Sequence, residues 1–399
     1  MKKWIPFILS LTILFVSVYF AGTHDISDSV AATPLQQQPE ISTQEEMRGV
    51  WVSYMMLDTE GESDIESVFT EKIRHIIEEM ERINLNTMIV QVRPFSDALY
   101  RSSCYPWSHI LTSEQGKDPG FDPLSVIIEE AHAKGIAVHA WVNPYRVKTA
   151  QTPSELCDDS PLLRSPELCK EWEDAVYLDP SDEEARRLIT EGVREIAANY
   201  AVDGIQFDDY FYPTTDESFD REEYEAYTES TSSPLSLADW RKENVNMLIR
   251  DVYEAVHKAN AHTVFGIAPQ GNMGNNESLY ADVVLWCEEE GYIDYICPQI
   301  YFSLDNPALT FEEGLSDWLS LNKHDGLKMY AGLASYKAGS DADEGTWLDN
   351  DDIITTEVQI VRESAIDGFM LYSADSFDKE ECQDEINHLA DYLNTSPKQ

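Results

Sequence analysis

The stretch Asp203-Gly-Ile-Gln-Phe-Asp-Asp-Tyr-Phe-Tyr-Pro213 begins as a strand and ends in two adjacent carboxylates followed by three aromatic residues. Side chains of a strand alternate between its two faces, so the apolar residues share one face while Gln206 and Asp208 share the other. In a parallel barrel the apolar face packs on surrounding helices and the polar face points along the lumen towards the mouth. We therefore expect Asp208 at the rim of a barrel, with Asp209 turned outward or lying above the rim.

Seven further strand-like segments repeat on both sides of this stretch. They are residues 48–54, 87–94, 136–144, 264–271, 293–301, 327–333 and 368–373. Between the strands, apolar residues recur at helical spacing, for example over residues 69–83 and 185–200. Strands that alternate with helices pair in parallel, and eight such strands close into a barrel. The sequence therefore predicts an α/β protein with a single (β/α)8 TIM barrel over residues 45–395.

Long loops follow several of the predicted strands, whereas the loops before the strands are short. The long loops are residues 95–118, 145–179, 211–235 and 338–350. Barrel enzymes build their sites from the loops at the carboxyl ends of the strands. We therefore expect the functional site at that face.

The N-terminus has the pattern of an export signal. A basic start at Lys2 and Lys3 precedes an apolar run over residues 5–21, as in a secretory signal peptide. The run is nearly long enough to span a bilayer, so an uncleaved anchor stays open. Residues 22–44 are polar and predict a flexible tether. We expect a secreted or cell-surface protein, with a membrane contact only through residues 1–21 if they are retained.

The charge of the chain excludes one class of partner. Acidic residues number 74 against 28 basic ones, which gives a formal net charge of −46. Phosphate backbones require clustered Lys and Arg, so nucleic acid is not expected as a partner. The acids are scattered over the helices, which favours a solvated acidic surface over a cation store.

Cysteines and metal motifs predict no cofactor. The sequence contains no CxxC, HExxH or EF-hand pattern, so neither a zinc nor a calcium site is expected. Cys157 and Cys169 share one short polar segment, where a local disulfide and two free thiols both stay open. Cys297 lies in an apolar strand and is interpreted as a small core residue.

The strand ends and their loops carry polar and aromatic side chains. Alternation places Gln91, Arg93 and His139 in the lumen, His139 as a core residue lower in the barrel, and predicts Tyr372 at the mouth. Amides, Arg and aromatic rings suit a sugar, whose hydroxyls need hydrogen bonds and whose C–H face stacks on rings. The candidate substrate-binding residues are Arg93, Asp97, Trp107, Trp141, Asn143, Tyr145, Tyr210, Gln270, Asn272, Gln299, Tyr301 and Tyr336.

Several of these side chains have a structural alternative. Arg93 could form an ion pair, and Trp141 could simply pack in the core. Trp51 could stack on sugar or fill the barrel. A sugar remains the expected ligand because the polar and aromatic residues concentrate at one face.

Asp208 and Asp209 are the candidate catalytic residues. Glycoside hydrolysis needs a carboxyl that protonates the leaving oxygen and a negative charge beside the oxocarbenium-like centre. The structural alternative is a helix cap or an ion pair. A second carboxylate could also come from Asp97, Asp305 or Asp375, all just past strand ends, and the sequence does not rank them.

Several motifs together resemble one family. They are Met47-Arg-Gly-Val-Trp-Val52, Gln91-Val-Arg-Pro-Phe-Ser-Asp-Ala-Leu-Tyr100, His139-Ala-Trp-Val-Asn-Pro-Tyr-Arg146, Asp203-Gly-Ile-Gln-Phe-Asp-Asp-Tyr210 and Cys297-Pro-Gln-Ile-Tyr301. In this order they resemble the family-ten-like glycosyl hydrolases, also called domain of unknown function 187. The resemblance implies a barrel hydrolase of the bacterial envelope, and some relatives act on peptidoglycan glycan strands without stem peptides. An N-acetylated glycan is the partner it implies.

The fourth strand is also similar to the Asp-Gly-x-Asp-x-Asp-x-Glu stretch of chitinases. Gln206 replaces an acid of that pattern and Tyr210 replaces its glutamic acid. The missing glutamate favours an alternative function, a non-catalytic glycan-binding barrel. A structural envelope protein that binds no saccharide is a third hypothesis.

Overall fold

Eight parallel strands close into a barrel in the computed structural model, which describes residues 46–396 except 151, 154 and 349. The strands are β1 (Met47–Val52), β2 (Thr87–Arg93), β3 (Ala137–Val142), β4 (Gly204–Phe207), β5 (Val264–Ile267), β6 (Tyr295–Ile296), β7 (Lys328–Leu333) and β8 (Gly368–Leu371). Each strand pairs with its sequence neighbours, and β8 pairs with β1. The predicted (β/α)8 barrel is confirmed.

Helices surround the barrel and bury one face each against it. The α-helices span Ile65–Ile83, Pro123–His132, Pro161–Arg164, Glu183–Asn199, Arg221–Ser230, Leu237–Ala259, Met273–Ser278, Val283–Glu288, Phe311–Leu319, Ile353–Glu363 and Gln383–Thr395. In the first of them, Phe69, Ile73 and Met80 are fully buried, each contributing roughly 1.5–3 kcal/mol by leaving water. The Asp64 side chain caps this helix by accepting from the Ser67 amide at 3.2 Å.

The long loops at the carboxyl ends of the strands carry further structure. The β3–β4 loop holds an antiparallel sheet of Arg146–Lys148, Cys169–Trp172 and Ala175–Leu178. Short 3-10 turns span Tyr54–Leu57, Pro166–Leu168, Ser335–Lys337, Asp343–Gly345, Ala374–Phe377 and Glu380–Cys382. These insertions build the walls of the mouth.

Aromatic and apolar side chains fill the lower lumen. Trp51 is 3% exposed and donates from Nε1 to the Gln206 Oε1 atom at 2.6 Å, so it fills the barrel. His139 Nδ1 lies 3.0 Å from the Tyr295 hydroxyl, and burial lowers the pKa of His139 to about 4. His139 is therefore a neutral core residue, as predicted, and Cys297 is buried in the same cluster.

Two predictions concern other parts of the chain. Cys157 and Cys169 are both free thiols, so the local disulfide is not formed. The predictions for residues 1–21 and 22–44 lie outside the described residues. Within the part of the chain that the structure describes, no helix is both long and apolar enough to cross a membrane.

Candidate active site

Asp208 lies at the mouth, one residue beyond the end of β4. Its side chain is buried, with 4% of the residue exposed. Its Oδ2 atom accepts from Trp141 Nε1 at 3.2 Å and from the Asn143 side-chain amide. Its Oδ1 atom accepts from the Tyr210 backbone amide at 3.3 Å. Asp208 thus leans towards the end of β3.

Asp209 also lies at the mouth, and its hydrogen-bond partners follow β5 and β6 rather than β3. Its Oδ1 atom accepts from Gln299 Nε2 at 2.9 Å, and its Oδ2 atom accepts from the Gln270 side-chain amide. Both amides follow the ends of β5 and β6. Asp209 is 4% exposed, so the outward orientation is wrong. The strand ends at Phe207, and the alternation of faces does not extend to the two acids.

Burial raises the pKa values of both acids, and their hydrogen-bond partners differ. Burial, followed by the negative charge of Asp209, raises the pKa of Asp208 to about 7. Burial also raises the pKa of Asp209, but the hydrogen bonds from Gln270 and Gln299 oppose this by favouring its ionised form. A neutral carboxyl beside an ionised one is the arrangement that acid–base catalysis requires.

Further hydrogen bonds fix the side chain of Asn143, which in turn holds the Asp208 carboxyl. Gln91 Nε2 donates to Asn143 Oδ1 at 2.7 Å, which leaves the Asn143 amide pointing at Asp208. The Gln91 oxygen accepts from the Tyr54 backbone amide at 3.2 Å. Three strand ends, those of β1, β2 and β3, therefore position one carboxyl.

Tyrosine rings form one wall of the mouth. Tyr372 contacts Tyr301 and Tyr336, with ring centroids 5.6 and 5.7 Å apart, and lies 6.4 Å from Trp141. Tyr210 is 57% exposed and Tyr336 37% exposed. Exposed rings beside buried carboxyls offer a sugar a stacking surface next to the acids.

Arg93 does not face the lumen, so that prediction is wrong. The register between β2 and β3 slips between Gln91 and Arg93, because Gln91 pairs with Trp141 while Arg93 pairs with Val142. The extra residue turns Arg93 outward, where its guanidinium lies 4.4 Å from the Tyr105 ring centroid and is 1% exposed. A sugar in the barrel mouth does not reach it.

Three other candidate residues make contacts that stabilise the fold. Tyr145 is 1% exposed in the main core, where its carbonyl accepts from Leu178 of the inserted sheet at 2.8 Å. Asn272 caps the helix Met273–Ser278 by accepting from the Gly274 amide at 3.0 Å. Asp97 is fully buried and holds His109 at 2.8 Å. Tyr145 and Asp97 are therefore buried side chains, whereas a sugar contact by Asn272 stays a prediction.

The remaining candidates are dispersed. Trp107 is half-buried in the β2–β3 loop, with the Arg101 guanidinium 5.5 Å from its ring, and it lines a separate cavity of about 300 Å³. Asp305 is exposed, and Asp375 pairs with Lys379 at 2.5 Å. The structure therefore places Asp209, rather than Asp97, Asp305 or Asp375, beside Asp208.

One residue at the mouth was missed by sequence reasoning. Arg146 follows β3, and its positive charge lowers the pKa values of both Asp208 and Asp209. It closes the motif that begins at His139, so its position in that motif was the available signal. Its side chain lies over the ring of Tyr210, with 5.8 Å between guanidinium carbon and ring centroid.

Comparison with known proteins identifies the family. Residues 46–349 match the family model described as glycosyl hydrolase-like 10. The chain is 34% identical over 333 residues to glycosyl hydrolase YngK of Bacillus subtilis, covering 77% of this chain and 64% of YngK. It is 30% identical over 408 residues to glycosyl hydrolase DigH of Escherichia coli K12, covering 91% of each chain.

Solved structures share the barrel at low sequence identity. The glycoside hydrolase domain of PgaB from Bordetella bronchiseptica has a TM-score of 0.56 at 12% identity, covering 86% of this chain and 99% of that one. The catalytic domain of β-amylase from Paenibacillus polymyxa has a TM-score of 0.57 at 10% identity, covering 89% and 99%. These likenesses concern the fold. On the family match and the curated relatives, the chain belongs to the glycosyl hydrolase-like 10 family and is a glycoside hydrolase.

Proposed function

We propose that the protein is exported and hydrolyses glycosidic bonds in cell-wall polysaccharide, with peptide-free peptidoglycan strands as its substrate. The observation that carries the proposal is the burial of Asp208 and Asp209 side by side at the mouth, each held by its own hydrogen bonds, with the pKa of Asp208 raised to about 7. Support for the substrate comes from the motif resemblance and from the signal-like N-terminus.

Asp208 is the general acid in this proposal. With a pKa of about 7, it carries its proton up to neutral pH and delivers it to the glycosidic oxygen as the bond breaks. Trp141 and Asn143 hold the carboxyl at a fixed position. Such general acids contribute roughly 10²- to 10⁴-fold to the rate.

Asp209 supplies the negative charge. Gln270 and Gln299 each donate to one of its oxygens, and these hydrogen bonds favour the ionised carboxylate against the burial that raises the pKa of Asp209. An ionised Asp209 would stabilise the positive charge that develops on the anomeric carbon. A water molecule then bonds to that carbon through its oxygen and returns a proton to the Asp208 carboxylate, which restores the acid. The same two amides also hold Asp209 still against the barrel rim.

The tyrosine wall supplies the sugar contacts. Tyr301 and Tyr336 contact each other beside the mouth, and Tyr210 follows the two acids. The exposed rings of Tyr210 and Tyr336 suit the C–H face of a pyranose. An N-acetylated glycan offers such a face. Tyr210 therefore binds sugar at the position where chitinases place their acid.

The test is digestion of purified peptide-free glycan strands, with fragments identified by chromatography and mass spectrometry. Wild type is expected to release short fragments, and Asp208→Asn and Asp209→Asn to lower the rate by roughly 10²- to 10⁴-fold. Asp305→Asn, which removes an exposed acid, is the matched control and keeps wild-type activity.

Calorimetry on the same strands distinguishes hydrolysis from the two alternative functions. Binding by the wild type without release of any fragment would establish a non-catalytic glycan-binding barrel instead. Absence of both binding and cleavage would favour a structural envelope protein.

A further inference from the structure

Arg146 leaves most of its hydrogen-bonding capacity unused. Its Nε atom donates to the Pro94 carbonyl at 2.7 Å, which anchors the side chain. Across the described residues, its two terminal nitrogens form no hydrogen bond and no ion pair, and neither is sealed from solvent. An anchored guanidinium, close enough to Asp208 and Asp209 to affect their pKa values, thus keeps its two terminal nitrogens available.

Aromatic residues hold that guanidinium in place. Its central carbon lies 4.9 Å from the Phe95 ring centroid and 5.8 Å from that of Tyr210. Tyr177 pairs with Arg146 across the inserted sheet. Rings stabilise the planar cation without occupying its N–H donors. The donors are therefore preorganised for a planar anionic group.

Arg146 contrasts with the basic residues that have a carboxylate partner. With 74 acidic residues to 28 basic ones, most cations have a carboxylate available. Lys337, also past a strand end, shows the ordinary outcome, since its Nζ binds the Tyr301 carbonyl at 2.7 Å and Asp343 at 2.9 Å. Arg146 reaches Asp208 and Asp209 only through longer-range attraction.

We propose that Arg146 binds a carboxylate carried by the glycan, namely the lactyl carboxylate of a muramoyl residue. This inference rests on the proposed function. The lactyl carboxylate is free only where the stem peptide has been removed, because in an intact strand its carbon forms the amide bond to the peptide. A guanidinium binds a carboxylate through two parallel N–H···O bonds, and a neutral amide cannot replace it in that geometry.

This contact also offsets a general repulsion. A chain of net charge −46 repels an anionic polymer, and the ionised Asp209 adds to that repulsion near the reacting bond. Arg146 gives the substrate carboxylate one favourable position, on the β3 side of the acids. The sugar that carries the carboxylate is thereby oriented relative to Asp208.

The experiment combines a substitution of Arg146 in the enzyme with a chemical modification of the carboxylates in the substrate. Peptide-free strands are used with their lactyl carboxylates free, or converted to primary amides by carbodiimide and ammonia. For the free strands, Arg146→Met is expected to lower kcat/KM by ten- to a hundredfold, as for loss of a charge-assisted hydrogen bond. For the amidated strands, wild type and Arg146→Met are expected to agree within about threefold.

Controls separate this role from general electrostatics. Arg187→Met removes the same charge from an exposed helix position, where Arg187 pairs with Glu184, and is expected to act like wild type on both strands. Arg146→Lys keeps the positive charge but loses the two parallel N–H donors of the guanidinium, and is expected to recover only part of the activity. Equal losses in Arg146→Met on free and amidated strands would overturn the proposal.

A binding measurement keeps the two proposals apart. If the wild type cleaves neither strand, the proposed hydrolysis of this glycan fails. Calorimetry with the same two strands then still decides the role of Arg146. A wild-type preference for free over amidated strands that disappears in Arg146→Met supports it, and an unchanged preference overturns it.

Discussion

Replacing Asp208 with asparagine is expected to stabilise the protein above neutral pH. The pKa of Asp208 rises from 3.8 to about 7 on folding, through burial and the charge of Asp209. Each pKa unit corresponds to about 1.4 kcal/mol, so ionising this carboxyl costs about 4 kcal/mol more in the folded than in the unfolded chain. The asparagine side chain is neutral at every pH and avoids that cost.

The sign and pH window follow from proton binding. Between about pH 4 and pH 7 the folded chain keeps a proton on Asp208 that the unfolded chain has lost, so wild-type stability falls as the pH rises. Above pH 7 the loss is complete and constant. For a barrel over residues 46–396, unfolding entropy is about 2.1 cal/mol/K per residue, and 4 kcal/mol becomes about 5 °C in Tm.

The assay is thermal unfolding of both proteins from pH 4 to pH 9, followed by circular dichroism. We expect equal Tm values near pH 4 and an advantage of about 5 °C for Asp208→Asn at pH 8. Asp305→Asn, at an exposed position, should follow the wild type throughout. A Tm difference that does not change with pH, or a variant less stable at pH 8, would refute the assignment of a buried, proton-carrying Asp208.

Three further outcomes are expected. In Arg146→Met, the decline of kcat with rising pH should move above pH 7 on amidated strands, because Arg146 lowers the pKa of Asp208. In Gln299→Ala, kcat at pH 5 should fall about tenfold, because an amide donor that favours ionised Asp209 is lost; the pH–rate profile measures it. In Gly192→Ala, the new Cβ would collide with buried side chains beneath that helix. Urea unfolding should show about 1–3 kcal/mol of lost stability, with kcat unchanged.

Periodicity was enough to predict the barrel. Every strand carries an apolar face, and eight repeats of strand and helix permit few other arrangements. Short strands such as Tyr295–Ile296 were still recognisable, because residues 293–301 continue as an extended segment with bridges at Gln299. The fold depends on many residues at once, so local irregularities do not hide it.

The site depends on single residues, and here the pattern was insufficient. The slip between Gln91 and Arg93 reversed the orientation of Arg93, and neither residue is a glycine or proline that would mark it. Asp209 faces the mouth because regular pairing stops at Phe207. Loop residues such as Tyr145 follow no period, so their direction depends on packing that the sequence does not display.

Asp208 and Asp209 are adjacent in the chain, so one peptide bond fixes their backbones about 3.8 Å apart. Where two catalytic acids come from different strands, a change in strand tilt alters their separation. In this barrel, the outer parts of the loops after β2 and β7 can lengthen or exchange residues without moving one acid relative to the other. On the proposed mechanism, loop exchange would change glycan preference without changing the spacing of the two acids, and chimaeras that carry a relative's loops would test this.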